Sequence, residues 1–385
     1  MALSALPVLS GEILPKLGPA LMEADRAGHR LEAAVRCLPT PDGFLEMQAR
    51  REAVASTRLD GHDVSVSDLA GRGSTQELED EPSVWAARCC MAAVSLERSA
   101  GSGEARLSWP WLARLYRVLG GLGDGQPERP SAATEAALSE LGRYIAGNAG
   151  LPELLRVGVM QGRLHQLELF EGQPDRLART LGIGGLYWLD VPGRRGLAPS
   201  DSFTLRLDEY RYRLTALREG TGWRGWLRYF VQCFAQAASA AEEILGRFAM
   251  LREEHRMAVA EALGHSAHRG LKMLDRLAHS PVANVADVRE VTGTSYVAAN
   301  QLVSRLVDLG ILEEVTGFKR NRHFLYGACL RLFAEDPAEA ALPPETVAQA
   351  PPPKWVPTPG PAVAPPPVRP PRARARKAAL ADHLL

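Results

Sequence analysis

The sequence predicts a mainly α-helical protein with a small α+β segment near residue 300 and a proline-rich tail. Two observations favour helices over sheets. Aromatic residues make up only 6% of the chain while Ala, Leu and Arg are abundant, a composition typical of packed helices. Apolar residues also recur at helical spacing over most of the first 263 positions. No repeat with a period of 20–50 residues is present, so we do not expect a solenoid.

Length and charge restrict the classes of protein to consider. The 385 residues are enough for two folded domains and a tail. Lys and Arg total 45, as do Asp and Glu, so the formal net charge is zero. This balance argues against a histone-like packaging protein and against a long acidic tail. It still permits a local basic patch that binds nucleic acid.

Cysteine usage and hydropathy bear on the compartment. The five cysteines contain no CxxC pair, which argues against a disulfide framework and against a structural zinc site. We therefore expect a reducing, cytoplasmic environment and no bound metal. The first 18 residues lack the pattern of a signal peptide, and no run of eighteen apolar residues occurs, so no membrane association is expected.

The helical part of the chain divides at glycine- and proline-rich segments. We expect breaks at Gly120–Gly125 and at Val191–Ser202. A proline near the start of a helix is tolerated because its missing N–H has no intrahelical partner there. The apolar spacing predicts helices over residues 104–119, 132–146, 151–167, 207–217, 223–251 and 253–263.

Residues 266–327 show a different order of elements. A helix over 266–278 is followed by a short helix over 285–291, and a longer helix begins after Thr294 as its N-cap and ends at Leu309. Two short strands follow, at 311–315 and 322–326, joined by a turn at 316–321. Helix, short helix, longer helix and hairpin is the order of a winged helix-turn-helix domain.

The longer helix has two distinct faces. We expect its apolar stripe, Ala298, Leu302, Leu306 and Leu309, to pack against the short helix. The opposite face carries polar, aromatic and basic side chains able to reach base edges or phosphates: Ser295, Tyr296, Asn300, Ser304 and Arg305.

The tip of the hairpin carries three cations suited to the phosphate backbone: Lys319, Arg320 and Arg322. Together with the helix face they predict a double-stranded DNA partner. The alternative is that this small domain binds another protein or a second copy of the chain.

The C-terminal part is rich in proline. Thirteen of the 28 prolines lie between Pro343 and Pro371, and residues 343–385 carry six cations and two acids. Proline fixes φ and removes a backbone donor, so we expect a disordered, extended and solvated tail. The alternative is an arm that contacts phosphate or a protein partner.

Three segments together resemble the Fic (Fido) family, which transfers AMP or related phosphate-containing groups from a nucleotide to protein hydroxyls. Arg51–Gly61 is similar to the family segment EA-x-x-SS-x-IEG. Residues 209–231 resemble the family block that contains YY-x-LL and W-x-x-W, with Trp223 and Trp226 close to register. Many proteins of this family also append a winged helix. The resemblance spans about residues 10–330.

The family motif H-P-F-x-D-G-N-G-R-x-G-R aligns with Glu168–Arg179. Phe170, Arg176 and Arg179 match it. Glu168 stands where the family has its general base, and a carboxylate can act as a base there only with unusual burial. Gly172 stands where the family has the Asp that holds Mg²⁺ and offers no side-chain ligand. The resemblance therefore implies a degenerate motif.

The phosphate-binding part of the motif also differs. Gln173-Pro174-Asp175 replaces the family's G-N-G, which supplies backbone N–H groups to phosphate. Pro174 has no N–H, and Asp175 adds a negative charge that would repel a phosphate 4 Å away by about 4 kcal/mol at an effective dielectric constant of about 20. We therefore expect no bound cofactor, and ATP with Mg²⁺ only if the chain is an enzyme after all.

Two further residues invite comparison with the family. Shifting the alignment by three residues makes His165 the base, but Phe170 and the two arginines then lose register. We expect His165 to be a polar residue on a partly exposed helix face. Ser56 to Gly61 resembles the family's inhibitory segment, with Asp60 in place of Glu, and this resemblance implies an Asp60–Arg179 ion pair with a structural role.

The sequence thus predicts four parts: a Fic-type N-terminal helical region (1–110), a Fic-like core with a degenerate motif (111–262), a winged helix-turn-helix (263–335) and the tail (336–385). The predicted function is a DNA-binding regulator, with dimerisation as one use of the Fic-like part. The first alternative is an enzyme that transfers a nucleotide moiety through Glu168 or His165. The second alternative is a protein-interaction scaffold.

Overall fold

The computed structural model describes residues 5–9, 14–70, 81–100, 104–120, 128–147, 150–170, 174–317 and 322–334. All of these residues belong to the larger of the two units into which the chain divides, residues 1–344. The predicted tail, Gly172 of the motif, and Lys319 and Arg320 of the turn lie outside the described residues.

The mainly α class is confirmed, because helices follow one another along almost the whole described part of the chain before residue 267. Their bounds are α1 Leu14–Cys37, α2 Asp42–Leu59, α3 Val66–Leu69, α4 Pro82–Ser99, α5 Trp109–Val118, α6 Ala132–Gly147, α7 Glu153–Leu167, α8 Pro174–Trp188, α9 Pro199–Leu205, α10 Leu207–Arg218 and α11 Trp223–Leu263. Single 3₁₀ turns lie at Glu104–Leu107, Arg194–Gly196 and Gly264–Ser266.

Helix α11 is continuous over 41 residues, whereas the sequence pattern predicted two helices divided at residue 252. No Gly or Pro occurs between residues 247 and 263, so nothing in the backbone chemistry interrupts the helix. At 1.5 Å per residue the helix is about 60 Å long. It packs against α1, α7 and α12 (Ala267–His279), and therefore joins the helical body to the small α+β segment.

Two glycines allow α7 to approach α11 closely. A Cβ atom on Gly158 would lie 2.9 Å from the Phe230 ring, and one on Gly162 would lie 2.8 Å from Trp226 Nε1. The indole N–H of Trp226 donates to the carbonyl oxygen of Gly158 at 2.8 Å. The aromatic block of α11 thus fills the core directly beneath α7.

The predicted break at 191–202 contains helix α9, which begins at Pro199. Its N-terminus is held by Glu52 of α2, whose carboxylate accepts hydrogen bonds from Ser200 N at 2.9 Å and Ser200 Oγ at 2.6 Å. One of the backbone N–H groups that lack an intrahelical partner in the first turn of α9 is therefore hydrogen-bonded to Glu52. Glu52 lies 148 positions away in the sequence, so local sequence patterns do not predict this contact.

The α+β segment, described over residues 267–317 and 322–334, contains four helices and a small sheet. After α12 come β1 Val282–Asn284, α13 Val285–Thr292, α14 Tyr296–Asp308, β2 Glu313–Glu314, β3 His323–Leu325 and α15 Gly327–Phe333. The strands form an antiparallel sheet in the order β1-β3-β2, with Ala283 opposite Phe324 and Glu314 opposite the same residue. Strand β1, only three residues long, was not predicted.

Helix α14 begins one residue later than predicted. Ser295, not Thr294, is the N-cap, and its Oγ accepts a hydrogen bond from Ala298 N at 3.3 Å. The buried stripe is correspondingly different: Ala298 and Leu309 are only half-buried. The side chains that α14 buries are Ala299, Leu302, Val303 and Leu306.

The α+β segment shares a core with the helical body. Phe333 of α15 lies 5.7 Å from Phe248 of α11 and 6.0 Å from Phe44 of α2, measured between ring centroids. His255 Nδ1 lies 2.8 Å from the hydroxyl of Tyr326. None of the described helices combines the length and apolarity that a membrane span requires.

Candidate functional site

The motif segment joins the end of α7 to the start of α8. Glu168 ends α7 in the left-handed conformation, at φ 42° and ψ 51°, and its exposed side chain forms an ion pair with Arg218 Nε at 2.9 Å. It lacks the burial that lets a carboxylate act as a base near neutral pH. Phe170 is buried and stacks on Tyr116 with ring centroids 4.2 Å apart, which anchors the segment to α5.

His165 is completely buried, in contrast to the partly exposed position expected from the sequence. Its Nδ1 lies 2.7 Å from Asp175 Oδ1, and its Nε2 lies 3.4 Å from the side-chain amide nitrogen of Gln161. A carboxylate accepts and an amide nitrogen donates, so Nδ1 carries the proton and Nε2 accepts. Burial lowers the pKa of His165, although Asp175 opposes this shift, and the imidazole is neutral at pH 7.

Asp175 lies in the first turn of α8 and joins three elements. Its Oδ1 accepts from His165 of α7 and, at 2.8 Å, from Arg218 Nη2 of α10. Burial alone would raise the pKa of Asp175, but the hydrogen bond from His165 and the nearby positive charges outweigh it and hold the pKa well below its ordinary value. The ionised carboxylate is further favoured by the N-terminal end of the helix dipole. We call His165, Asp175 and Arg218 the aspartate cluster.

Asp60 bridges two arginines of α8. Its Oδ2 accepts from Arg176 Nε and its Oδ1 from Arg179 Nη2, each at 2.6 Å, so the Asp60–Arg179 pairing expected from the resemblance is present and includes Arg176. Both guanidinium groups are buried. Arg176 Nη1 has no hydrogen-bond partner in the described part of the chain. Asp60, Arg176 and Arg179 are called the arginine bridge below.

Ser56 and Tyr210 complete the surroundings of the arginine bridge. Arg179 donates to Ser56 Oγ at 2.9 Å, to Ser56 O at 2.8 Å and to the Tyr210 hydroxyl at 3.4 Å. Gly61 follows Asp60 with φ 90°, a conformation that favours glycine and turns the chain at the end of α2. Burial raises the pKa of Tyr210 to about 12, so its hydroxyl remains protonated and polar.

Among the residues predicted to contact DNA, some are hydrogen-bonded within the protein and others are exposed. Arg322 Nη2 donates to Asn300 Oδ1 at 2.9 Å and Nη1 lies 3.4 Å from Glu314 Oε2. This arginine, next to β3, thus contacts both α14 and β2, whereas the sequence predicted a contact with the phosphate backbone. Ser295 uses its hydroxyl in the helix cap. Tyr296 and Arg305 are exposed.

Sequence reasoning missed several residues. The aspartate cluster draws on three helices, and Arg218 lies 43 positions from Asp175, so no local spacing indicates it. On α14, Val297 and Gln301 are also exposed, opposite the side chains that the helix buries. The stripe predicted from the sequence is different, so the sequence did not indicate these two residues. The described residues contain no group of three or more His, Cys, Asp or Glu side chains that could hold a metal ion.

Comparison with known proteins gives a match over the N-terminal region and a likeness in fold. Residues 19–88 match the model of the Fic/DOC family N-terminal region, and no curated protein matches the sequence significantly. A solved structure of a Fic family protein from Desulfovibrio desulfuricans G20 is similar over 83% of this chain and 97% of that chain, with a TM-score of 0.50 and 12% identity. At this identity the structural likeness concerns the fold alone.

Proposed function

We propose that this chain, which combines a Fic/DOC-type N-terminal region with the fold of a Fic family protein, is a DNA-binding regulatory protein. In this proposal residues 267–325 form a winged helix that contacts duplex DNA, and the Fic-like body supports that domain without transferring AMP. The observation that carries the proposal is the outward face of α14, which no described element covers.

The order of elements supports the winged-helix interpretation. Helix α12, strand β1, helices α13 and α14 and the hairpin β2–β3 follow one another as in a winged helix-turn-helix, and β3 pairs with both other strands. Helix α14 packs its apolar stripe inward through Leu302 and Leu306. Its other side faces solvent, as a helix that enters the major groove requires.

Exposed cations near α14 are available to bind phosphate groups of the DNA backbone. Arg289 of α13 and Arg305 of α14 are exposed, and the sequence places Lys319 and Arg320 between β2 and β3. Each cation that neutralises a phosphate releases condensed counterions, which makes binding strongly dependent on salt. This basic set explains how a chain of zero net charge can bind DNA.

The geometry of the motif argues against conventional AMP transfer. The aspartate cluster places an internal carboxylate at the N-terminus of α8, where the family's motif binds phosphate. The arginine bridge engages both motif arginines with Asp60. Glu168, at the position of the family's base, is exposed and paired with Arg218. A nucleotide would have to displace two sets of charge-assisted hydrogen bonds to bind there.

The first test measures DNA binding by the full chain. We expect it to shift genomic duplex fragments, with affinity falling steeply as salt rises. The double variant Lys319→Ala/Arg320→Ala should weaken binding about equally for all sequences and reduce the slope of log K against log salt by about 0.9 per cation removed. Fluorescence anisotropy at several salt concentrations measures both quantities.

The matched control is Lys16→Ala/Arg26→Ala, which removes two exposed cations from α1 and should leave binding unchanged. Salt-insensitive binding, or no binding to genomic fragments at low salt, contradicts the proposal. Co-purification of a protein in the absence of DNA binding would favour the scaffold alternative.

One observation favours the enzymatic alternative: a histidine whose Nδ1 bonds a carboxylate is an arrangement that orients a general base. Here Nε2 faces Gln161 and the ring is completely buried, so the base has no access to a substrate hydroxyl. Incubation with labelled ATP, with and without Mg²⁺, tests this alternative. Label transferred to protein by the native chain and lost in Arg176→Ala would establish it.

A further inference from the structure

Two of the three residues at the centre of the outward face of α14 are not among those that the sequence predicted to contact DNA. On a helix with 100° between residues, the buried Ala299, Leu302, Val303 and Leu306 lie on one side. Directly opposite them lie Val297, Gln301 and Ser304, all exposed. These three residues, spaced i, i+4 and i+7, form a line that we call the central stripe.

Other polar residues of α14 lie beside this stripe. Asn300 is half-buried on the flank next to the hairpin, where it accepts a hydrogen bond from Arg322. Tyr296 is on the same flank and Arg305 on the opposite one. When a helix lies in the major groove of DNA, residues on its flanks face the walls of the groove. Residues in the position of the central stripe face the base edges at its floor.

The stripe begins with an unusual solvent-facing pair. Val297 is 66% exposed. Contact with solvent does not stabilise a branched apolar side chain, whereas its burial against a partner would be favourable. Gln301 lies one turn further on, about 6 Å along the axis, a distance of roughly two base-pair steps. Neither residue is an Arg or Lys, the side chains that pair bidentately with guanine.

The chemistry of these side chains matches A·T pairs. Thymine presents a 5-methyl group in the major groove, which apolar side chains contact, and a Gln amide pairs bidentately with adenine N6 and N7. Ser304 Oγ donates to Asn300 O at 3.2 Å, so its hydroxyl remains available only as an acceptor. An acceptor there is compatible with the N6 amino group of adenine.

The one acidic residue on the same line lies away from this region. Asp308 is eleven positions beyond Val297, about 16 Å along the helix. Helices of this kind contact base edges mainly with their N-terminal residues, so the carboxylate of Asp308 lies outside the contact region.

We propose that Val297 and Gln301 make this protein selective for A·T pairs in the major groove, with Val297 contacting a thymine methyl group and Gln301 pairing with adenine. This inference rests on the proposed DNA-binding function. It identifies the ligand as a short A·T-containing duplex element and assigns the two side chains that read it.

The test begins with selection of bound sequences from a random duplex pool by the full chain. We expect enrichment of A·T pairs at two positions that are about two base-pair steps apart. Replacing thymine by uracil in a selected duplex removes the methyl group and should weaken binding about fivefold. Val297→Ala should bind the thymine and uracil duplexes equally, and Gln301→Ala should lose about tenfold of the adenine preference at one position.

Two exposed residues elsewhere provide matched controls. Val8→Ala, at a position 80% exposed, and Gln236→Ala, exposed on α11, should leave the selected sequences unchanged. Because all four changed side chains are exposed, circular dichroism melts of the variants should overlay that of the native chain.

The possible outcomes separate the two proposals. Binding of the pool with enrichment of G·C pairs, or with the same preference in Gln301→Ala as in the native chain, overturns this inference while DNA binding stands. A chain that binds no member of the pool at low salt overturns both. Uracil sensitivity that disappears in Val297→Ala supports the inference directly.

Discussion

At the scale of single residues, Asp60 decides the environment of two buried charges. It ends α2 and accepts from Arg176 and Arg179 of α8, two residues that are 1% and 3% exposed. Burying two guanidinium groups costs free energy that only paired and hydrogen-bonded geometry offsets. The carboxylate of Asp60 therefore joins α2 to α8 and is the ion-pair partner of both motif arginines.

Asp60→Ala should reduce the free energy of unfolding by about 3 kcal/mol, because it leaves two buried charges without their anion. Urea denaturation followed by circular dichroism measures this change. Asp63→Ala is the control, since Asp63 is exposed three residues away, and should change stability by less than about 0.5 kcal/mol. Equal effects of the two variants would show that the arginine bridge does not stabilise the fold.

Because His165 is buried, we expect the free energy of unfolding to fall as the pH is lowered. Its pKa is lowered from 6.5 in the folded chain, so below pH 6.5 the unfolded chain binds the proton more readily. The contribution of His165 is thus present above pH 6.5 and is lost as the pH falls below it. Asp175, whose pKa is lowered from 3.8, loses its contribution only below about pH 4.

We expect the native chain to lose stability between pH 7.5 and pH 5.5, as measured by chemical denaturation at several pH values. His165→Gln, which removes the titrating group, should show a smaller loss over the same range. His255, whose pKa burial also lowers, is present in both proteins and does not affect the difference. Parallel pH profiles for the two proteins would contradict a buried neutral His165.

At the scale of elements, α11 organises the fold through close packing. It carries the aromatic block that lies under α7, where Gly158 and Gly162 leave room for Phe230 and Trp226. The same helix continues to the α+β segment and contacts it through Phe248 and His255. A helix interrupted at residue 252, as the sequence pattern predicted, would not connect these two regions rigidly.

Gly162→Ala should destabilise the protein by about 1–3 kcal/mol, because its Cβ atom would lie 2.8 Å from Trp226 Nε1 and from the Trp223 ring. Gly246→Ala on α11 is the control, since its Cβ atom would meet nothing within 4 Å, and it should stabilise the helix by up to about 1 kcal/mol. Thermal unfolding of both variants checks the two signs. Stabilisation by Gly162→Ala would show that α7 and α11 are not closely packed.

At the scale of the whole molecule, the zero net charge is a sum over unlike regions. Several charged side chains of the helical body form ion pairs within the protein. Examples are the aspartate cluster, the arginine bridge, and the pair of Arg51 with Asp201 at 2.5 Å. Around α14, Arg289 and Arg305 remain exposed, and so do the neighbouring acids Glu290 and Asp308.

The α+β segment is also part of the larger unit. Phe333, Phe248 and Phe44 bring α15, α11 and α2 together, and Arg50 Nη1 donates to the carbonyl oxygen of His279 at 2.9 Å. The proposed DNA-contacting helix is thus held by a segment that shares its core with the Fic-like body.

The amino-acid sequence by itself determined the helical class and most helix positions, because apolar periodicity and the residues at helix ends act locally. It also indicated the Asp60–Arg179 pair, through resemblance to a known segment. Tertiary structure alone decided the aspartate cluster, the burial of His165, the capping of α9 by Glu52 and the orientation of α14. These features depend on contacts between residues 10 to 148 positions apart, and local propensity carries no information about which distant groups meet in the core.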